Sequence, residues 1–131
     1  MASSTGRNEV LPSYEVTLRE DVVWASMRGK VDLELRREML TAALAQARHS
    51  GLNRVVFDFR LARFANGIVG MHECVKLMAQ SELPHNACFA LLCSHRTADI
   101  DYLETTCINQ GINLTVFTDG EEAVHWLEGA A

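Results

Sequence analysis

Four times along this chain an apolar run of strand length gives way to a stretch in which apolar residues recur every three or four positions. That alternation constrains the fold more than any other feature. Val22 to Met27 precedes, across Gly29, the helical spacing of Leu35, Met39, Leu40, Ala43, Leu44 and Ala47. Arg54 to Phe59 precedes Ile68, Met71, His72, Val75, Met78 and Ala79; Ala87 to Cys93 precedes Ile100, Leu103 and Cys107; Ile112 to Phe117 precedes Ala123, Val124 and Leu127. In front of these, Tyr14, Val16 and Leu18 alternate with polar residues and are separated from the next run only by Glu20-Asp21, which predicts an antiparallel pair. The order β-β-α-β-α-β-α-β-α predicts a single-domain α/β fold: a five-stranded, mainly parallel sheet with one antiparallel edge strand and about four helices. Val55 to Phe59, apolar on both faces, belongs at its centre.

The punctuation agrees with the periods. Asp32 and Asp119 are placed to cap the first and last helices, with Glu34, Glu121 and Glu122 in the favourable first turns. Gly51 and Gly111 stop helices by adopting a left-handed conformation, and Pro84 closes the second helical segment. Residues 1–12 are mostly small and polar and read as a flexible leader, which leaves 13–129 as the domain.

At 131 residues the chain has room for one core, and 48% apolar with 22% charged residues is an ordinary globular balance. The longest apolar runs, such as Phe89 to Cys93, fall far short of the ~20 residues of a membrane span, and Met1 to Asn8 has no apolar signal region. A cytoplasmic protein is expected, with its four cysteines, 74, 88, 93 and 107, reduced. The net charge of -5 is uneven: residues 61–131 carry three basic against nine acidic side chains. No basic stripe is available for a nucleic-acid backbone, so neither DNA nor RNA is expected as a partner.

Chemistry-bearing motifs are sparse. Asn66-Gly67-Ile68-Val69-Gly70 offers a glycine-bearing turn before a helix but has neither dinucleotide-fingerprint spacing nor a Walker lysine, and reads as a turn with Gly70 packed closely against a strand. Cys93 and His95 share a strand face about 6.5 Å apart, too far for a nucleophile-base pair. No Cys-x-x-Cys or His-Glu-x-x-His spacing suggests a metal, and no cofactor is expected.

Gly29-Lys30-Val31-Asp32-Leu33, between the second strand and the first helix, resembles the Gly-x-Leu-Asp-Leu segment of STAS domains, the group that includes the SpoIIAA anti-sigma-factor antagonists. The close of the chain, Val116-Phe117-Thr118-Asp119-Gly120-Glu121-Glu122-Ala123-Val124-His125-Trp126-Leu127, is similar to that of bacterial SpoIIAA-like (STAS/SEC14-like) proteins, and the resemblance runs from Tyr14 to Leu127. It implies the SpoIIAA-like fold and a non-catalytic regulatory or protein-interaction module. It also brings in an alternative, a carrier or sensor of a small apolar or lipid-like anionic ligand of the SEC14-like kind; an uncharacterised enzyme ranks third. The family's regulatory serine, in an Asp-Ser-Ser-Gly motif before the second helix, has no counterpart, since no Ser or Thr occurs from Gly51 to Gln80.

If a ligand or partner is held, the C-terminal ends of the parallel strands are the place for it. Arg28 and Lys30 follow the second strand, Arg60 and Arg63 the third, and His95 and Arg96 the fourth, so these six form a basic rim on three neighbouring loops. A carrier would need an apolar pocket lined by Ile68, Met71, Val75 and Met78. The partner expected is thus a protein or a small apolar or anionic ligand, with room left for a homodimer.

Overall fold

In the computed structural model, which describes residues 11–64 and 70–129, the strands β1 (Ser13–Arg19), β2 (Val22–Val31), β3 (Arg54–Phe64), β4 (Cys88–Leu92) and β5 (Asn113–Phe117) form one sheet in that same spatial order. The helices are α1 (Leu33–Ser50), α2 (Met71–Ala79), α3 (Ala98–Asn109) and α4 (Gly120–Gly129). β1 runs antiparallel to β2 and the other three pairings are parallel, so the expected α/β sheet with one antiparallel edge strand forms, with β3 at its centre. Among the described residues no helix is long and apolar enough to cross a membrane.

Local chemistry sets the helix ends. The Asp32 carboxylate accepts from the Leu35 N–H at 2.8 Å, and Gly51 takes φ +71°, so its N–H and that of Leu52 reach back to the last carbonyls of α1. α3 is capped by Thr97, whose Oγ1 accepts from the Ile100 N–H at 3.2 Å. The expected turn at Asn66-Gly67, together with Ile68, lies outside the described residues; α2 itself begins at Met71, after Gly70 at φ +88°. Gly70 does pack closely, but against α1 rather than a strand: a Cβ there would stand 2.7 Å from both the Arg36 guanidinium and Leu33 Cδ2.

The layers are unequal. α1, α2 and α3 cover one face, where Val23, Ala25, Met27, Val55, Phe57, Phe89, Leu91 and Leu114 meet Met39, Leu40, Leu44, Val75 and Leu103. α4 alone lies on the other face and seats Ala123 and Leu127 on Trp24, Val56, Cys88, Ala90 and Leu92. Phe57 stacks on Phe89 with ring centroids 5.9 Å apart, tying the central strand to β4.

Two strands run further than their apolar patterns predict. β2 continues past Met27 to Val31, and β3 past Phe59 to Phe64. Between Ser26↔Asp58 and Arg28↔Leu61 the register gains one residue on β3, a bulge that reverses the alternation. Before it Phe57 and Phe59 face the three helices; after it Ala62 and Phe64 do, so Phe64 can meet Phe59 edge-on at 4.9 Å. Because β4 pairs with β3 only from Arg54 to Asp58 and β1 with β2 only as far as Arg28, the ends of β2 and β3 project beyond the sheet as a two-stranded ribbon with Arg28 at its base.

Candidate functional site

The six residues of the expected basic rim do not act as one group. Arg28, Lys30, Arg60 and Arg63 stand on strands rather than on loops, because β2 and β3 outrun their apolar stretches. Arg60 is held by Asp58, its Nη2 2.8 Å and its Nε 2.9 Å from the two carboxylate oxygens. Partial burial works to raise the Asp58 pKa, but hydrogen bonds from Arg60, aided by the Trp24 indole, outweigh it and the carboxyl titrates below its usual range. Arg96 is drawn onto α3: its guanidinium meets Asp101 at 2.7 Å and Glu104 at 2.6 Å and reaches the Val116 carbonyl at 3.4 Å. Glu104 in turn accepts from the Val116 N–H, so this network fastens the β4-α3 loop to β5. His95 stands exposed in the bend after β4.

Arg28, Lys30 and Arg63 are different. The register places Arg28 beside Leu61 and Lys30 beside Arg63, on the side of the ribbon away from the three helices. All four side chains are exposed, Leu61 to 67%. None of the three cations forms an ion pair among the described residues, whereas Arg37, Arg60 and Arg96 all do. Sequence reasoning missed the Asp58-Arg60 pair and the ribbon. The one signal was the spacing Phe57, Phe59, Ala62, Phe64, an alternation with a single step of three.

The expected apolar set is packed into the core: Met71, Val75 and Met78 are each 5–6% exposed, and Ile68 lies outside the described residues. A cavity of about 30 Å³ remains where Arg36, Phe57, Phe64, Met71, Cys74 and Met78 converge, room for a water or two. Arg36, only 5% exposed, lays its guanidinium 5.4 Å from the centre of the Phe64 ring.

All four cysteines are free thiols. Cys93 is buried with its Sγ 3.8 Å from the Phe117 carbonyl, and burial raises its pKa, which lowers its thiolate fraction. Burial likewise pushes the Cys107 thiol up to about 12. No group of three or more His, Cys, Asp or Glu among the described residues is arranged to hold a metal ion. On the α4 face a groove opens between that helix and β2, with Trp24 on its floor, the Arg19 guanidinium 4.2 Å above the indole, and Asp119 and His125 along its wall.

No family model matches the sequence, and none of the curated proteins matches it. Solved structures do match in shape. An anti-sigma factor antagonist from Mycobacterium paratuberculosis superposes with a TM-score of 0.61 at 13% identity, over 90% of this chain and 95% of its own. An uncharacterized protein with a SpoIIAA-like fold from Shewanella loihica gives 0.57 at 14% identity, over 93% and 99% of the two chains. The Bacillus cell-fate determinant SpoIIAA in its phosphorylated form gives 0.53 at 13%, over 87% and 98%. The fold is therefore SpoIIAA-like across nearly the whole length of both partners in each comparison.

Proposed function

We propose that this chain, a SpoIIAA-like fold with no Ser or Thr between Gly51 and Gln80, is a non-catalytic bacterial regulatory module that works by binding a protein partner. The observation that carries the reading is the packing of the core. A carrier of apolar ligand needs a cavity of several hundred Å³, and the side chains best placed to line one, Met71 and Met78, leave about 30 Å³. Shape is then what the molecule offers, on its surface. The Mycobacterium neighbour is named for antagonism of an anti-sigma factor, and an anti-sigma factor is the partner class proposed here. The cytoplasm is the proposed compartment, where free thiols persist.

The test is a pair of measurements on the full chain. Native mass spectrometry after gentle purification should give the bare polypeptide mass, and calorimetric titration against the anti-sigma factors of its own genome should find a saturable complex with at least one. A copurified lipid together with no binding to any of them would overturn the reading.

A further inference from the structure

We propose that the projecting β2-β3 ribbon is a docking surface for an acidic segment of a protein partner, with Arg28, Lys30 and Arg63 pairing its carboxylates and Leu61 receiving an apolar side chain. The proposal rests on the protein-binding reading above and names the surface and the chemistry of the partner.

The chain holds 17 acidic against 12 basic side chains, so its cations have acids to spare, and Arg37, Arg60 and Arg96 each sit on one or two of them. Among the described residues the ribbon cations form no ion pair, and unlike Arg19, which lies over Trp24, and Arg48, which donates to the Ser81 carbonyl, they are clustered. Lys30 and Arg63 are directly opposite one another on neighbouring parallel strands, an arrangement of like charges that weakens a sheet. No acid among the described residues pairs with them: Asp58 is bound by Arg60, and Glu15 stands in register with Ser26, two positions back from Arg28. A set of like charges left without an ion pair among the described residues, around an exposed leucine, has the layout of a surface completed by another molecule.

Charge selects the class of that molecule. Three cations arranged as bidentate and point-charge donors suit successive carboxylates. They are fewer than the 4–8 clustered Lys and Arg by which a segment typically recognises an anionic bilayer. An acidic peptide segment carrying an occasional apolar residue fits both the charge and Leu61.

The experiment uses the full chain and a fluorescein-labelled peptide of repeating Glu-Glu-Leu, followed by fluorescence anisotropy at low and at high salt. The wild type should bind, more weakly as salt rises, and should ignore the Lys-Lys-Leu counterpart. Replacing Arg28, Lys30 and Arg63 together with Ala should weaken binding about tenfold or more, and L61S several-fold, while Arg96→Ala leaves it unchanged. Circular dichroism melts establish that the variants fold, and the single exchange R63E, at an exposed position, gives a second route to the same answer. Failure of the wild type to bind, equal binding by the triple variant, or sedimentation with phosphatidylglycerol vesicles in place of peptide binding would each overturn the proposal. So would concentration-dependent self-association abolished by the triple variant, which would assign the ribbon to a second copy of the chain. If the triple variant still bound an anti-sigma factor at wild-type strength, this surface would be rejected and the protein-binding reading would stand; a copurified lipid with no binding to any anti-sigma factor would reject that reading itself.

Discussion

The side chain of Asp58 shows how one residue couples the sheet to its charge. Its ordinary unfolded pKa is about 3.9, and in the folded chain the Arg60 pair holds it lower. A carboxyl depressed on folding stabilises the native state above the unfolded pKa, and that contribution disappears as pH falls through the folded value. With Arg60 41% exposed, solvent screening limits the pair to about 1 kcal/mol. Asp58→Asn should therefore lower stability by that amount at pH 7, and the gap between variant and wild type should narrow as pH falls below about 4, as read from urea melts across the pH range. Cys107 makes a second residue-level case. With its thiol pushed to about 12 by burial and no exposed surface, it should resist iodoacetamide at pH 8 until the chain unfolds, as peptide mapping of native and denatured samples will report.

Elements are held by few, identifiable contacts. α2 meets α1 at Gly70, where positive φ and the 2.7 Å approach to Leu33 and Arg36 leave no place for a Cβ. The ends of those two side chains can yield somewhat, but Arg36 is packed against Phe64, and φ +88° itself disfavours any Cβ. Gly70→Ala should cost about 1–3 kcal/mol in a denaturant melt; an unchanged midpoint would show that the α1-α2 junction tolerates a side chain. α4 is seated by Ala123 and Leu127, its buried residues, with partly buried Val124 and Trp126 beside them. Leu127→Ala removes a fully buried side chain from the smaller core and should cost about 2–5 kcal/mol, with faster amide exchange in α4 than in α1.

At the scale of the whole molecule, the solid core makes a prediction about ligands. A ligand stabilises a fold only by binding the native state, so oleate or dodecanoate below its micellar concentration should leave Tm unchanged; a concentration-dependent rise would mean that the core opens to admit an acyl chain. Much of this architecture was legible from local chemistry. The alternation of periods gave nine elements in the right order, and the caps at Asp32 and Gly51 marked both ends of α1, because period and capping are written within a few residues of chain. The ribbon was not legible. Arg60, Leu61 and Arg63 break the apolar pattern of β3, and the strand persists there only because β2 supplies hydrogen bonds along its flank while Phe64 packs on Phe59 and Arg36. The basic rim likewise appeared as one group in a list of strand ends. Packing divided it, giving Arg60 to Asp58 and Arg96 to α3, and leaving Arg28, Lys30 and Arg63 exposed. Periodicity and capping depend on neighbours in sequence, which the chain states outright; which cation finds a carboxylate depends on register and helix placement, which exist only once distant segments have met.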